Sequence, residues 1–391
     1  MEQIIPNSKQ LHKSDLNFIH LYSFSKWGNK MPNVLILCAH RPKRSPSQRY
    51  RFEQYLPFLK QHGFNFTFSY LLNEKDDTTF YSQGNFLVKI FILIKSVLIR
   101  LKDCFRFKNF DIIFIQREAS FLGTSYFEKR AHKSGAYVIF DFDDSIWLAD
   151  TSPGNKKWEF IKKPEKFFRN ISYANCVIAG NSYLAKKSQT INKNTKVIPT
   201  TIDTDFHMPK PKLRNNEIIT IGWSGSISTV KHFETLLPVL MKIKLAYGNK
   251  VNFKVLGDPH YSSADLNVIP KAWTETTEVD ELNSFDIGIM PLPDDAWANG
   301  KCGLKALSYM ACEIAVVISA VGINKEIVEQ DKNGFLASTE DEWFRCLSQL
   351  IDDKTIRNEM GKAGRKTVIE RYSVEANKAK YLEIFNNGRM R

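Results

Sequence analysis

The chain lacks most of the features that mark metal-binding, disulfide-rich or membrane-spanning proteins. Its six cysteines are scattered along 391 residues with no Cys-x-x-Cys pair, which argues against metal and disulfide frameworks and fits a reducing cytoplasm. No stretch of about 18 or more residues is apolar and free of charge, so no transmembrane helix is expected. Residues 1–30 lack the apolar segment of a secretory signal and are predicted to form an N-terminal extension, with Met31 as an alternative start.

Common cofactor signatures are also missing. No Gly-x-Gly-x-x-Gly follows a predicted strand, which argues against nicotinamide and flavin binding, and the chain has no P-loop. His20, His40 and His260 are isolated and indicate no metal site. Acidic residues are too few to balance the 55 lysines and arginines, which leaves a formal net charge of +13. This charge favours an anionic partner, whether a nucleotide, an anionic lipid or a nucleic acid.

What is present is a repeated alternation of apolar strands and amphipathic helices, which predicts an α/β protein with parallel sheets. The alternation is interrupted once, by a Pro-containing linker over residues 203–216, and then resumes. We therefore expect two doubly wound, Rossmann-like domains facing an interdomain cleft, the usual place for a ligand. The predicted units are the extension 1–30, a domain over 31–205, a second over 206–372, and a helix over 373–391 that returns to the first domain.

The most informative segment is 286–312, where an apolar strand leads through a Pro/Asp/Gly loop into a helix. Carboxyl ends of strands and amino ends of helices are where α/β proteins bind phosphates. Lys301 and Lys305 add charge at this helix start and predict a diphosphate site, although either could be a solvated surface lysine. Asp294, Asp295 and Trp297 suit sugar hydroxyls and a sugar ring, or else ordinary turn chemistry. Ser308 could bind ribose or simply lie on the helix surface.

A second phosphate element is predicted where Gly225 and Ser226 follow a strand in the sequence Gly-Trp-Ser-Gly-Ser. Glycine lets backbone approach phosphate oxygens and serine adds a donor, with Lys231 supplying charge. The alternative is a plain βα turn.

Three carboxylates, Asp141, Asp143 and Asp144, end a predicted strand of the first half. At the cleft they could orient or deprotonate an acceptor hydroxyl. Their spacing also suits Mg²⁺ ligation, which ranks lower because lysines already neutralise phosphate. A helix N-cap is the alternative for Asp144. Arg49 and Arg51 suit a phosphate or carboxylated acceptor, but on a helix at most one of them should face the cleft.

Residues 86–108 predict a long helix with basic residues mostly on one side. Such a helix can lie on an anionic membrane, or can pack on the sheet as a crossover helix.

Taken in order, these motifs resemble the GT-B glycosyltransferases, specifically the retaining family 4 group of cell-envelope polysaccharide synthesis. The resemblance runs over about 32–372 and is most specific at 286–295, 300–305, 309–311 and 321–328, with weaker support at 47–51 and 141–147. It implies a metal-independent, retaining hexosyltransferase with no cofactor, acting in the cytoplasm or on the inner membrane face. A nucleotide-diphosphate sugar would be the donor, bound by the second domain. A glycan or lipid-linked sugar would be the acceptor, bound by the first.

The resemblance also implies roles for residues. The catalytic set is Asp143, Asp144, Lys231 and Lys305. The donor-binding set is Gly225, Ser226, Lys231, Glu278, Asp294, Asp295, Trp297, Lys301, Cys302, Gly303, Leu304, Lys305 and Ser308. The acceptor-binding set is Arg49, Arg51, Asp141 and Trp147.

The chain departs from the family pattern at positions that usually carry two glutamates, which here are Gly300 and Ser308, and at Ser226, where an arginine is common. These departures motivate an alternative, a non-catalytic nucleotide-sugar-binding protein of the same fold. A sugar-nucleotide epimerase is a further alternative. A nucleic-acid-binding protein is supported only by charge, because no recognised motif or aromatic stacking platform accompanies it.

Overall fold

The computed structural model describes residues 31–148, 163–211, 218–264 and 266–390. Within these ranges the chain forms two domains, each built on a six-stranded, fully parallel sheet with helices around it. The predicted α/β class with two Rossmann-like domains is therefore confirmed. The predicted N-terminal extension and residues 212–217 of the predicted linker lie outside the described residues.

The first sheet has the strand order β2-β1-β3-β4-β5-β6. Its central strands β3 and β4 are buried along their whole length, as expected for apolar, β-branched runs covered on both faces. The strands are β1 (Asn33–His40), β2 (Asn65–Leu72), β3 (Ile112–Gln116), β4 (Tyr137–Phe142), β5 (Cys176–Ala179) and β6 (Thr195–Val197). Because all six are parallel, their carboxyl ends lie along one edge.

The second sheet has the order β12-β11-β10-β7-β8-β9. Its strands are β7 (Ile219–Ser224), β8 (Val251–Leu256), β9 (Val268–Lys271), β10 (Ile287–Met290), β11 (Ala315–Ser319) and β12 (Phe335–Ala337). The loops that follow β7 and β10 carry the predicted donor residues, and these two strands are neighbours in the sheet. The order thus brings the two predicted phosphate elements side by side.

Sixteen α-helices surround the sheets in the described part of the chain. Those of the first domain are α1 (Pro46–Arg49), α2 (Leu56–Gln61), α3 (Glu74–Tyr81), α4 (Phe86–Arg106), α5 (Tyr126–His132), α6 (Lys166–Ser172) and α7 (Ser182–Gln189). Those that follow are α8 (Val230–Glu234), α9 (Leu237–Tyr247), α10 (Glu278–Asn283), α11 (Ala296–Asn299), α12 (Leu304–Ala311), α13 (Asn324–Ile327), α14 (Glu340–Asp352), α15 (Lys354–Thr367) and α16 (Val374–Arg389).

The chain passes from one domain to the other twice, near Ile202 and near Ser373. The two crossing segments are hydrogen-bonded to each other. The Ile202 amide donates to the Tyr372 carbonyl, and the Val374 amide donates to the Ile202 carbonyl. Beyond the second crossing, α16 packs on the first domain, where Tyr381 stacks on Tyr55 with ring centroids 4.2 Å apart. The last helix therefore belongs to the core of the first domain.

The segment over 46–61 is not one continuous helix. It consists of α1, a 3-10 turn over Glu53–Tyr55, and α2. Pro57 has no amide hydrogen and stands at the start of α2, where that loss is harmless, whereas within one continuous helix it would remove a hydrogen bond. The break separates Arg49 from Arg51, and the two side chains take different environments.

Candidate active site

The two sheets present their carboxyl edges to each other, and the loops at these edges meet. In the first domain the meeting residues follow β4 and β5, and in the second they follow β10. Lys301 Nζ lies 2.8 Å from Asp144 Oδ2. The Asn181 amide donates to the Lys301 carbonyl at 2.9 Å, and the Ser145 hydroxyl donates to the Ala296 carbonyl at 3.3 Å. The gap between the domains is thus bridged directly by the loop that precedes α12.

Lys305 is the most unusual charge at this gap. It stands in the first turn of α12, and its Nζ lies 4.1 Å from the ring centroid of Trp223 at the end of β7. Among the described residues it has no carboxylate or hydrogen-bond partner. Burial, and then the charge of Lys301, lower the pKa of Lys305 to about 7. A Cβ on Gly225 would lie 2.7 Å from this ammonium, so the predicted glycine turn and Lys305 are adjacent.

His232 shows that the three predicted lysines converge. Burial, followed by the charges of Lys305, Lys231 and Lys301 in that order, lowers the pKa of His232 to about 4. Its ring stacks on Trp297 with centroids 5.7 Å apart, and its buried Nε2 has no hydrogen-bond partner among the described residues. The imidazole is therefore neutral at physiological pH and forms part of the wall beside the lysines.

Two cavities flank Trp297. One of about 500 Å³ is lined by Lys231, His232, Thr235, Pro293, Asp295 and Trp297, with Leu148 of the first domain. The other, of about 130 Å³, is lined on the first-domain side by residues that include Arg117, Asp144 and Lys166. The larger volume is within the usual range for small-molecule sites. Both cavities touch both domains, with the indole between them.

The carboxylates Asp143 and Asp144 are held by cations from both domains. Arg117 Nε lies 3.1 Å from Asp143 Oδ1, and Arg117 Nη2 lies 3.1 Å from Asp144 Oδ2. Lys301 reaches Asp144 from the second domain while its ammonium lies 3.3 Å from the Trp297 centroid. No helix begins at Asp144, so the N-cap alternative does not apply. Instead Asp144 links the two predicted halves of the site.

Gly300 sits against the first domain without room for a side chain. A Cβ there would lie 2.0 Å from Ser145 Oγ and 2.9 Å from the Ser145 amide nitrogen. The neighbouring Cys302 is buried, with its Sγ 3.2 Å from the Asp143 carbonyl oxygen, and burial raises its pKa to about 12. Cys302 is therefore a packed thiol between the domains and not a nucleophile.

Several predicted donor residues have local structural roles. Asp295 caps α11 by accepting from the Ala298 amide at 2.7 Å, and Asp294 is exposed near Asn299. The buried Ser308 hydroxyl donates to the Leu304 carbonyl one turn earlier, so it does not reach a ribose in this conformation. Gly303 begins α12 with φ +70°, a left-handed conformation that favours glycine. Ser226 is exposed in a turn beside Ser228 and Thr229.

Arg51 and Asp141, expected at an acceptor, require correction. Both are fully buried, and they form a two-point ion pair with Nη2–Oδ1 at 2.6 Å and Nε–Oδ2 at 3.3 Å. No acceptor reaches them in this conformation, because the first-domain core covers the pair. Trp147, also expected there, packs against Phe142, Phe167 and Tyr183.

Arg49 and Glu278 meet at a second interdomain contact. Arg49 Nη2 lies 3.4 Å from Glu278 Oε2, and the Tyr50 hydroxyl donates to Glu278 Oε1 at 3.1 Å. His207, beside the first chain crossing, lies 3.4 Å from the Tyr50 hydroxyl. Of the two arginines only Arg49 therefore reaches across the domains. Its partner is a protein carboxylate, so in this conformation Glu278 is not free for a donor.

Five residues that support the site were assigned no role from the sequence. They are Arg117, Ser145, Asn181, Trp223 and His232. Three of them stand beside predicted residues: Trp223 within the Gly-Trp-Ser-Gly-Ser segment, Ser145 next to Asp144, and His232 next to Lys231. In the described ranges no group of three or more His, Cys, Asp or Glu side chains is placed to hold a metal ion.

Residues 218–353 match the family described as "Glycosyl transferases group 1". This range extends from just before β7 to just after α14 and includes the glycine turn, all three lysines and Trp297. The match lies within the second domain. No curated protein matches the sequence.

Solved structures match over nearly the whole described fold. HepE from Anabaena, solved in complex with UDP-glucose, has a TM-score of 0.64 at 14% identity, covering 91% of this chain and 100% of that one. Sucrose-phosphate synthase from Thermosynechococcus elongatus has a TM-score of 0.64 at 14% identity, covering 92% and 99%. TarM from S. aureus, solved with fondaparinux, alpha-GlcNAc-glycerol and UDP, has a TM-score of 0.53 at 20% identity, covering 70% and 55%. At these identities the likeness shows the fold, which is GT-B.

Proposed function

We propose that the protein is a retaining glycosyltransferase of hexosyl groups in cell-envelope polysaccharide synthesis. The second domain binds a nucleoside diphosphate sugar at the loops after β7 and β10. The first domain binds the acceptor, a glycan or lipid-linked sugar presented at the cytoplasmic face of the membrane. The proposal rests on the group 1 domain, on the GT-B fold and above all on the chemistry of the gap.

The observation that carries the proposal is the placement of Lys305. Lys305 is half-buried beside Lys301 with no counter-ion among the described residues, so its charged form is disfavoured in the unliganded protein and a bound anion would stabilise it. Lys231 and Lys301 lie close enough to affect the same histidine, so the site concentrates positive charge. The first turn of α12 adds its free amide groups and the positive end of the helix dipole. A diphosphate supplies negative charge on several oxygens within reach of these groups.

The chemistry follows from this charge distribution. When the bond between the anomeric carbon and the diphosphate oxygen breaks, its electron pair stays on the diphosphate, where the lysines and the helix start stabilise it. The acceptor hydroxyl attacks the same face that the diphosphate leaves, and its proton passes to a diphosphate oxygen. Asp143 and Asp144 stand across the gap and would orient the acceptor or offset positive charge on the sugar ring. Transfer then retains the anomeric configuration.

No metal is required in this proposal, because lysine side chains neutralise the leaving group. We therefore expect transfer rates to be unchanged, within about twofold, after treatment with a chelator and assay in its presence. A loss of activity that added Mg²⁺ restores would contradict this part of the proposal. Asp143 and Asp144 would then be the first residues to test as ligands.

A thermal-shift screen with UDP, GDP, ADP and their sugars tests donor binding. UDP compounds come first because the HepE neighbour was solved with UDP-glucose. We expect one base to raise the Tm, and Lys305→Ala to abolish most of that increase. The exposed Lys362→Ala is the matched control and should keep it. Stabilisation that survives Lys305→Ala undiminished would remove the diphosphate assignment.

A second candidate function, nucleotide-sugar binding without turnover, is favoured by Gly300 and Ser308. Gly300 packs against Ser145 without room for a side chain. The Ser308 hydroxyl donates to the Leu304 carbonyl of its own helix. Incubation with the bound sugar nucleotide and a pool of glycan and lipid-linked acceptors separates the two. Sugar transfer, with the anomeric configuration read by NMR, supports the enzyme. Binding with no product from any acceptor supports the binding protein.

A further inference from the structure

Helix α4 (Phe86–Arg106) turns its apolar face to solvent. Leu87 is 82% exposed, Phe91 66%, Leu98 59% and Phe105 83%, and Ile94 between them is 54% exposed. At 100° per residue these side chains fall within one stripe along a helix about 31 Å long. We call these five residues the outer stripe. Scattered exposed apolar residues are normal, but a continuous stripe of this size marks an interaction surface.

The opposite face of α4 is buried against the first domain and combines apolar side chains such as Ile92 with several polar ones. Arg100 is completely buried and donates to the Cys38 carbonyl, the Ala119 carbonyl and the Ser69 hydroxyl at 2.6 to 2.9 Å. It also pairs with Asp103 at 2.9 Å. These bonds tie the helix to β1, to β2 and to the loop after β3. The orientation is therefore fixed by satisfied polar contacts, and the outer stripe cannot turn inward without breaking them.

Exposed positive charge borders the outer stripe. Of the five cations of α4, Lys89 and Arg100 are buried, and Lys95 and Arg106 pair with Asp76 and Asp103. The single carboxylate of the helix, Asp103, is buried between two arginines. Lys102 is exposed on the helix. Neighbouring α5 adds exposed Lys129 and Arg130, the latter in hydrogen-bonding contact with Cys104 of α4. An apolar stripe edged by cations, with no exposed carboxylate on its own helix, complements a surface that is apolar within and anionic at its boundary.

We infer that the outer stripe is a docking surface for an anionic lipid membrane. Helix α4 lies in the plane of the bilayer, its leucine, isoleucine and phenylalanine side chains enter the headgroup–acyl boundary, and Lys102 and Arg130 contact lipid phosphates. A second copy of the chain fits less well, because pairing two stripes would bring their flanking cations together. No helix in the described ranges is long and apolar enough to cross a bilayer, so this contact is peripheral. It extends the proposed function by naming the surface at which a lipid-linked acceptor is met.

Vesicle co-sedimentation of the full chain tests this inference. The probes are vesicles of phosphatidylcholine alone and of phosphatidylcholine mixed with phosphatidylglycerol. We expect binding to the mixed vesicles only. The pair Leu87→Gln and Phe91→Gln should weaken it by roughly tenfold or more, because both side chains then cost free energy to bury. Lys102→Gln should weaken it about fivefold. Leu245→Gln is the matched control, an equally exposed leucine (86%) on α9 of the second domain, and should bind like the parent.

Three results would overturn the inference. They are no binding by the parent chain, equal binding to neutral and anionic vesicles, and binding that the Leu87/Phe91 variant retains. Analytical ultracentrifugation without lipid adds a fourth: a dimer that this variant dissociates would mean that a second copy covers the outer stripe. Vesicle binding needs no nucleotide, and the nucleotide thermal shift needs no lipid. A failure of the membrane-docking inference can therefore be distinguished from a failure of the proposed function.

Discussion

Lys305 links the electrostatics of the gap to a measurable pH dependence. Its pKa lies near 7 because burial, and then Lys301, disfavour the ammonium. Between about pH 7 and the ordinary lysine range near 10.5, the Lys305 side chain of the unliganded protein is thus mostly neutral, although a bound diphosphate favours its charged form. We expect nucleoside diphosphate affinity to fall as pH rises above 7, by at most roughly tenfold per pH unit. Isothermal titration calorimetry from pH 6 to 9 measures this affinity. At pH 8 we expect the protein to take up a proton when the nucleoside diphosphate binds.

Two variants separate Lys305 from the other cations of the site. Lys305→Arg stays charged over the whole range, so its affinity should vary little with pH even if the geometry weakens binding. Lys301→Gln removes one cause of the lowered pKa and should move the decline to higher pH. A parent protein whose affinity is flat from pH 6 to 9 would contradict the prediction.

The buried pair Arg51–Asp141 predicts a loss of stability where an acceptor role would predict a loss of activity. Asp141→Asn leaves the guanidinium buried without its counter-ion, and we expect it to cost about 3–5 kcal/mol of unfolding free energy, measured by urea denaturation. Asp144→Asn, at the partly exposed gap between the domains, should cost less than about 1 kcal/mol but lower transfer. If Asp141→Asn instead kept full stability and lost only transfer, the acceptor role first expected of it would return.

At the scale of elements, Arg100 decides the orientation of α4. Arg100→Met removes a buried cation that satisfies two carbonyls, one hydroxyl and one carboxylate, and leaves Asp103 with a weaker set of partners. We expect a loss of about 3–5 kcal/mol of stability by urea denaturation. Lys102→Met, on the exposed face two residues later, should change the free energy of unfolding by less than about 0.5 kcal/mol. Equal effects of the two substitutions would mean that the polar face does not anchor the helix.

Helix α4 also shows which features of the fold could be predicted from the sequence and which could not. Its apolar periodicity predicted a helix over 86–108, and Phe86–Arg106 is helical. Periodicity identifies the faces of a helix but does not say which one meets the sheet. Helix α4 buries Ile92 together with Arg100 and leaves the outer stripe exposed. This orientation depends on acceptors for Arg100 that come from Cys38, Ser69 and Ala119. Such long-range partners leave no local pattern, so the orientation could not be predicted.

The candidate site, too, could be predicted from local sequence patterns only in part. The strand–loop–helix order predicted phosphate elements at Gly225 and Lys305, because the ends of parallel strands are set by local apolar runs, and these two residues are adjacent. Arg51 and Asp141 were expected at the cleft, because a charged residue at a strand end usually faces solvent. Their burial depends on Ile198 supplying a further acceptor for Arg51 and on α16 covering the sheet. Neither is visible in the segments around the two residues.

At the scale of the whole molecule, the domains touch at two separate places. One is at the gap, where Lys301 and Asn181 tie the loop before α12 to the first domain. The other is beside the chain crossings, where Glu278 accepts from Tyr50 and pairs with Arg49. The first contact lies at the proposed donor site, and the second lies beside the two chain crossings.

Gly300 controls how closely the domains approach. Because a Cβ at this position would lie 2.0 Å from Ser145 Oγ, Gly300→Ala cannot keep the present closure without displacing Ser145 or its domain. We expect about 1–3 kcal/mol of destabilisation of the closed arrangement, seen as a larger radius of gyration by small-angle X-ray scattering in the unliganded protein. Gly300→Glu, which adds a longer side chain, should increase the radius of gyration further.

Nucleotide binding distinguishes an opened gap from a damaged fold. Lys231, Lys301 and Lys305 all belong to the second domain, so the nucleotide-induced rise in Tm should persist in Gly300→Ala while sugar transfer falls. Ser145→Gly removes the hydroxyl and the Cβ that the new methyl meets. The double variant should therefore recover part of the lost compactness, and Ser145→Gly alone should resemble the parent. A Gly300→Ala protein with the parent's radius of gyration would mean that Ser145 yields locally and that the glycine does not limit domain approach.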